Sequence, residues 1–393
     1  MKVLPTQDRI DSLDLIRGVA ILGILIMNIT AFSHIGMAYV NPNLGAGIEG
    51  YNAWFHSFSF LFADMRFMSI FSILFGAGMM LFIQNIERKN LKPAIYHYKR
   101  MFLLLGFGLI HAYLIWMGDI LVSYALCGCL VFMVRNWSSR GLIILASILF
   151  IIPILMNIMT WYGLSMNELN EIYGPAWNPE SKEILNEIQA YRGSYIGQME
   201  IRSQAALYSQ TFLFMIEGFW RYFSMMIIGI LLFRLGWFKV VKSPKWYLRF
   251  GLIFLFIGLL VSAYGLYASY ENQWNGAWCM TLGHNFTYIS SLLMAFAYMS
   301  LLILWSTSEK ASRIQNRLKA VGRMAFTNYI LSSLLCTVIF YGHGFAYFAS
   351  LDRLEQWVVI VPIWFLILFL SKWVLNRYTQ GPLEFIWRKM TYW

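Results

Sequence analysis

Met101-Phe-Leu-Leu-Leu-Gly-Phe-Gly-Leu-Ile-His111-Ala-Tyr-Leu-Ile-Trp-Met-Gly118-Asp119 places a titratable imidazole inside one apolar run and a carboxylate at its far end. The stretch from Met101 to Met117 is long enough to cross the hydrocarbon of a bilayer as a helix, for which about 17–25 residues suffice. Ionisable side chains in such segments are costly and face the bundle interior or water, so each is a candidate for function. Their neighbours are lipid-compatible. Chemistry done by His111 and Asp119 is therefore done inside a membrane domain.

The rest of the chain has the same character. Of its 393 residues, 59% are hydrophobic and only 12% charged, with a mean hydropathy of +0.58. That composition excludes a soluble globular domain and indicates an all-α polytopic membrane protein. Ten apolar segments are long enough to span, near 14–34, 58–84, 101–117, 119–134, 141–161, 210–233, 247–268, 278–305, 320–341 and 357–376. Each is expected to be helical, because backbone polar groups in lipid must be satisfied within the segment.

Basic residues set the expected orientation. Arg88, Lys89, Lys92, Lys99 and Arg100 fill one connection, Arg234, Lys239, Lys242, Lys245 and Arg249 a second, and Lys310, Arg313, Arg317, Lys319 and Arg323 a third. The alternate loops 31–57 and 267–283 have no Lys or Arg, and 342–356 has only Arg353. The positive-inside rule then predicts that both termini are cytoplasmic. The net charge of +11 reads as anchoring to anionic lipid, with no nucleic-acid partner. Asp14 and Arg17 in the first segment, without a small-residue cleavage site, argue for a retained helix over a cleaved signal.

The chain reads as one membrane domain with an external insert at 162–207 and a cytoplasmic interfacial tail at 377–393. In the insert, Asn178-Pro179-Glu180 has the form of a helix start with Asn as N-cap. Ile184, Ile188, Tyr191, Tyr195 and Met199 follow at helical spacing, which predicts an amphipathic helix on the outer surface or capping the bundle. Gly76-Ala77-Gly78 reads as a site of close helix packing. Cys127 and Cys129 point to opposite faces of a helix, and His34, His56 and His343 are scattered, so no metal is expected.

The intramembrane polar residues form two groups. Asp14, Arg17 and Asn28 lie along one side of segment one, with Arg17 and Asn28 about 16 Å apart. Asp14, Arg17 and Arg323 mark the inner mouth, from which the stripe runs to Asn28 toward the middle of the bilayer, either as an ion pair fixing helices or as the lining of a cavity. Glu217, Arg221 and Ser224 share one face of segment six, and His284, Tyr288 and Ser291 one face of segment eight. Together with Asp64 and Arg66 they imply an outward-facing polar chamber. His111 lies near mid-membrane and suits general-base work, or else is a core histidine satisfied by a carbonyl. Asp119 is about 12 Å further along a continuous helix, out of reach of His111. Either Gly118 ends the helix and lets Asp119 fold back, or Asp119 serves another partner such as Arg66 or Arg221.

Several blocks resemble the YeiB family, membrane proteins whose C-terminal part is a domain of unknown function (DUF418). They are Arg9-x-x-x-Leu13-Asp14-x-x-Arg17-Gly18, Leu74-Phe75-Gly76-Ala77-Gly78, His111 with Gly118-Asp119-Ile120-Leu121, Gly322-Arg323-Met324-Ala325-x-Thr327-Asn328-Tyr329, Asp352-Arg353-Leu354-Glu355 and Gly381-Pro382-Leu383-Glu384-x-x-Trp387-Arg388. The first block is also similar to transmembrane acyltransferases, among them heparan-α-glucosaminide N-acetyltransferase and the acyltransferase-3 enzymes. This resemblance implies transfer of an acyl group from cytoplasmic acyl-CoA, as co-substrate and with no covalently bound cofactor, to a sugar or lipid acceptor across the bilayer; it is compatible with a homodimer. It implies His111 as base, Asp119 as its orienter, and Asp14, Arg17, Asn28, Arg66, Glu217, Arg221, His284, Arg323 and Asn328 as substrate-binding groups. Acyltransferase-3 enzymes carry a histidine eleven residues after the motif arginine, where this chain has Asn28; the heparan enzyme also lacks that histidine and uses a later one. The competing readings are a transporter or flippase of a small anionic or lipid-linked solute using the same cavity, and a non-catalytic partner of an envelope enzyme.

The charge asymmetry predicts that single cysteines at Asn43, Asn170 and Asn272, on a cysteine-less background, react with an impermeant maleimide from outside intact cells. A cysteine at Asn90 is expected to stay unlabelled, and its labelling from outside would reverse the orientation.

Overall fold

A computed structural model describes residues 10–308 and 313–393, which are helical with no strand among them. Arg9 and Lys310, used in the motif and charge arguments, lie outside the described residues. The first helices are α1 (Asp11–Ser33), α2 (Tyr51–Phe62), α3 (Arg66–Glu87) and α4 (Pro93–Ile110), the last prolonged by a π-helical turn over His111–Ile115. Then come α5 (Leu121–Val134), α6 (Ser139–Gly163), α7 (Met166–Trp177), α8 (Ser181–Arg192) and α9 (Met199–Tyr208). A π-helical stretch over Ser209–Gly218 joins α9 to α10 (Phe219–Arg234). The remainder are α11 (Pro244–Glu271), α12 (Gly276–Met280), α13 (Leu282–Ser306), α14 (Arg313–Arg323), α15 (Ala325–Phe340), α16 (Arg353–Arg377) and α17 (Pro382–Tyr392).

Eight runs among the described residues are long and apolar enough to cross a membrane, counting α2–α3, α4 with its π turn, α9–α10 and α12–α13 as single runs. The expected segment at 320–341 is instead a bent pair, α14 and α15, which meet at 87°. The segment expected at 119–134 is α5, whose 14 residues rise only about 21 Å against a hydrocarbon core of ~30 Å. The chain is a multi-pass membrane protein. Its Lys- and Arg-rich connections gather at one end, here the basic face; the insert and the loops poor in Lys and Arg gather at the opposite face.

Small residues set the tightest joints. A Cβ on Gly76 would strike the carbonyl of Met226, and one on Gly229 the carbonyl of Ile73, so α3 and α10 touch backbone to backbone. Gly18 against Leu318 and Gly322 against Asp14 make the same reciprocal contact between α1 and α14. The Gly-Ala-Gly expectation is met at Gly76, and the first and fourth family blocks prove to be two halves of one joint. The block at Asp352 is a capping box: Asp352 accepts from the Glu355 amide and Glu355 from the Asp352 amide, both at 2.8 Å, starting α16.

The insert differs from its expected form. Its amphipathic helix, α8, is capped by Glu180 with Glu183 and not by Asn178, and it stops at Gly193, so Tyr195 and Met199 are not on it. The stop is enforced from outside the helix. The Gly342 amide donates to the Tyr191 carbonyl, and the Gln198 side chain donates to the carbonyls of Tyr191 and Gly193. Tyr191 stacks on Phe348, Arg192 binds the Phe348 carbonyl, and Glu187 accepts from the Gly36 amide. The insert is thus a cap packed on the opposite face of the bundle.

Gly76→Leu and Gly229→Leu are expected to destabilise the protein in detergent by about 1–3 kcal/mol each or more, because the obstacle is backbone that cannot rotate away. Thermal unfolding followed by tryptophan fluorescence would check this against Gly106→Leu, where an added Cβ meets nothing within 4 Å.

Candidate functional site

α4 abandons α-helical spacing where it reaches His111. The Trp116 amide donates back to the His111 carbonyl at 2.8 Å, and Trp116 turns extended. Its ring stacks on Phe32 of α1, with centroids 3.9 Å apart. The same ring lies against Gly118, where any Cβ would collide with it. The chain then doubles back, and the separation a straight helix would impose disappears. His111 Nδ1 sits 2.8 Å from Asp119 Oδ1, both side chains being fully buried. The second carboxylate oxygen accepts from the Val122 amide at 2.8 Å, at the start of α5. Of the readings open for Asp119, the fold-back holds; the break comes at Trp116, with Gly118 giving room for it.

The other imidazole nitrogen, Nε2, is 2.9 Å from Ser333 Oγ on α15. Tyr329, one turn earlier on α15, sets its ring 4.9 Å from the imidazole. Carbonyls freed at the end of α4 are taken up by the insert: Tyr195 Oη donates to Leu114 at 2.6 Å, and buried Arg202 donates to Ile115 at 3.4 Å. A guanidinium at a helix C-terminus also meets the negative end of its dipole.

A cavity of about 360 Å³ runs from the basic face to Tyr329, whose ring stands between it and His111, a volume within the roughly 300–1,000 Å³ typical of small-molecule sites. Arg17, Arg100, Arg323, Glu384 and Trp387 line its basic end, and Phe71, Leu121, Tyr124 and Tyr329 its deep end. Along α3 the lining extends from Phe71 to Asn85, about 21 Å of helix rise. Tyr329 also lines a second, small cavity with Asn28, Ser332 and Ser333. The expected inner cluster therefore exists: Asp14 pairs with Arg17 at 3.5 Å, while Arg17 and Arg323 both face the large cavity. The tail is more than a headgroup anchor. Glu384 of α17 caps α15 by accepting from the amides of Phe326 and Thr327, and Trp387 donates to the Arg100 carbonyl.

The expected chamber residues of the opposite half also converge. Arg221 pairs with Glu217 at 3.2 Å, and the other Glu217 oxygen is 2.8 Å from His284 Nε2. Arg221 is almost fully buried and donates further to the Met65 carbonyl and to Ser69 and Ser291. Arg66, fully buried, donates to the Asp64 carbonyl and to Ser262 and Ser290. Glu217 and His284 are about a quarter exposed, so the chamber presents an acid and an imidazole held from behind by a fixed cation. Asp64, at the break between α2 and α3, lines a neighbouring pocket with His56 and Arg353. Ser224 turns away to the Ala146 carbonyl.

Asn328 lies apart from both groups, buried and donating to the Val321 carbonyl and to Ser371. Sequence reasoning missed Ser333, Arg202 and the serines around Arg66; it named Tyr329 in a family block and Arg100 in a basic connection, without joining either to His111. The available signal was that ionisable residues inside a bundle need polar partners, and serines are what apolar helices offer. No metal-binding cluster occurs among the described residues.

A family profile described as "Protein of unknown function (DUF418)" matches residues 232–393. The chain is 32% identical over 388 residues to "Uncharacterized protein YeiB" of Escherichia coli, covering 98% of this chain and 97% of that protein. It is 27% identical to "Uncharacterized protein YxaH" of Bacillus subtilis, covering 98% of this chain and 95% of that one. A 39.9 kDa uncharacterized protein of Bacillus acidopullulyticus is 28% identical, over 100% and 96% of the two chains. No solved structure matches the chain significantly.

Glu217→Gln would remove the negative charge facing Arg221 while keeping size and polarity. A buried charged donor left short of a partner costs roughly 1–3 kcal/mol. The variant is expected to melt several degrees lower in detergent, and an unchanged melting temperature would show that the serines and the Met65 carbonyl suffice for Arg221.

Proposed function

The chain belongs to the YeiB-like family, and on the geometry above we propose that it is a transmembrane acyltransferase of the bacterial inner membrane. An acyl thioester would enter from the basic, cytoplasmic face, and an acceptor hydroxyl or amine from the opposite one. The observation that carries this reading is the cavity lined by Arg17, Arg100 and Arg323 at its basic end and closed by Tyr329, the ring against His111. Guanidinium groups suit the phosphates of a coenzyme A thioester through paired, charge-assisted hydrogen bonds. The apolar deep wall suits a pantetheine arm and an acyl chain.

Chemistry at the inner end falls to His111. Asp119 favours the tautomer with the proton on Nδ1, which leaves Nε2 free to accept one. A base held this way can take the acceptor's proton as it attacks the thioester carbonyl and return it to the leaving thiolate. Access for the acceptor is supported by α3. Ser69 binds Arg221 of the outer chamber, while Ser72, three residues on, is 2.7 Å from Tyr124 Oη on the inner cavity wall. Only about 4.5 Å of helix rise separates the two compartments there. Glu217 and His284 would then bind a polar acceptor from outside.

Purified protein is expected to bind acetyl-CoA and release its thiol, slowly to water and faster with an acceptor. His111→Gln should lower the rate by about 10²–10⁴-fold with little change in melting temperature. Arg17→Lys and Arg323→Lys should weaken acetyl-CoA binding while retaining the fold, since the planar fork is lost and the charge kept. Wild-type protein that neither binds nor turns over acyl-CoA would remove this reading. Unfolding of His111→Gln would make the imidazole a structural group.

A further inference from the structure

We propose that Ser333 is a nucleophile that carries the acyl group as an oxygen ester between donor and acceptor, an inference that rests on the acyl-transfer reading above. Ser333 Oγ is 2.9 Å from His111 Nε2, His111 Nδ1 is 2.8 Å from Asp119 Oδ1, and the other Asp119 oxygen is fixed by the Val122 amide. This is a nucleophile, a base and an orienter in series, the arrangement that activates a serine hydroxyl.

Two comparisons within the molecule separate this from a merely satisfied histidine. Buried His34 and His97 each bond a backbone carbonyl, of Leu351 and Gly128, and each leaves Nδ1 without a partner among the described residues. His111 has side chains on both nitrogens. Ser333 also differs from Ser69 and Ser72 in its distance to the carbonyl four residues earlier. Ser69 and Ser72 back-bond to the carbonyl four residues earlier at 2.9 Å, whereas Ser333 is 3.3 Å from the Tyr329 carbonyl and closer to the imidazole. With the imidazole proton on Nδ1, facing Asp119, the Ser333 hydroxyl is the donor to Nε2.

Asn28 supplies an independent observation. Its half-buried side chain, inside α1, makes no hydrogen bond to a described residue. It lines the same cavity as Ser333, about 10 Å³ in volume, on the order of one water. An amide N–H there can donate to the oxyanion that develops when Oγ adds to a carbonyl. Tyr329, which lines both cavities, is the side chain that must swing for a thioester to arrive.

The two half-reactions balance. Oγ attacks the thioester carbonyl, its proton passes to Nε2, the C–S bond breaks, and the proton leaves on the thiolate as free thiol. Acceptor O–H or N–H then attacks the Ser333 ester, its proton passes to Nε2 and on to Oγ, and the acylated acceptor departs. Donor and acceptor need never occupy the site together, which suits substrates arriving from opposite faces.

Detergent-purified full-length protein would be treated with dodecyl fluorophosphonate and, separately, with radiolabelled acetyl-CoA, and the adducts mapped by mass spectrometry. Both reagents are expected to modify Ser333, with labelling about 10²–10⁴-fold slower in His111→Gln and absent in Ser333→Ala. Ser333→Cys, a guard against misfolding of the alanine variant, should accumulate an acetyl thioester cleaved by neutral hydroxylamine. A folded Ser333→Ala variant that transfers acetyl groups at the wild-type rate would overturn the nucleophile and leave direct transfer. Fluorophosphonate labelling of Ser333 without any acetyl-CoA turnover would keep the activated serine and remove the thioester donor. Failure of both reagents on folded wild-type protein would remove both.

Discussion

An imidazole and a carboxylate can sit in hydrogen-bond contact inside this bundle only because α4 gives up its helix at His111. Eight residues along a straight helix would hold the pair about 12 Å apart, each needing its own partner in an apolar medium. The π turn, the extended Trp116 and the return to Asp119 remove that separation. Breaking a helix in the membrane leaves carbonyls that lipid cannot satisfy. Here the insert satisfies two of them, Tyr195 at Leu114 and Arg202 at Ile115. The cap on the opposite face and the buried His111–Asp119 pair are therefore one structural problem with one solution. Either without the other would bury unpaired polar groups.

The same reasoning accounts for the second polar layer. Arg66 and Arg221 are among the largest fully buried side chains, yet only Arg221 has a carboxylate, Glu217, at ion-pair distance among the described residues. Serines and backbone carbonyls supply the remaining acceptors. A guanidinium offers five donors in a fixed plane, so it can tie several helices at once where an ammonium would hold fewer. Arg66 ties α3 to α11 and α13 through Ser262 and Ser290; Arg221 ties α10 to α3 and α13 through Ser69 and Ser291. This layer makes a rigid floor beneath Glu217 and His284. It also separates Glu217 and His284 from the cavity on the other side of Ser72.

What was legible in the sequence was whatever depends on composition and regular spacing. Nine of the ten expected segments contain helix of spanning length or a bent equivalent, and the tenth, α5, is present but short. Glu217 and Arg221 pair because i, i+4 spacing acts locally, and His284 joins them because lipid's intolerance of polar groups drives it to the same interior. Illegible features depend on a partner distant in the chain. Nothing near His111 marks the π turn, whose five residues leave the apolar pattern unbroken. Ser333 lies 222 residues away in an apolar helix where a serine looks like any small packing residue. Asn178 looked like a helix cap by its own chemistry and lost to Glu180, which forms a reciprocal pair with Glu183. Asn328 looked like a binding group because it is polar in a membrane, and its amide N–H groups are taken by the Val321 carbonyl and Ser371.

The blocks that carry the family resemblance fall mostly on joints. Gly18 and Gly322 lock α1 to α14, Asp352 and Glu355 start α16, and Glu384 caps α15 from the tail while Trp387 reaches the Arg100 carbonyl on α4. Those joints converge on the site. α15 carries Tyr329 and Ser333, α4 carries Arg100 and His111, and α17 touches both helices at the mouth of the cavity they line. The N-terminus of α15 bears a partial positive charge, and the Glu384 carboxylate both satisfies its amides and fixes the helix axis. Since Ser333 must meet His111 to within hydrogen-bond distance, a tilt of α15 by a few degrees at its capped end would separate them. The tail therefore acts on the buried triad through geometry, without touching it.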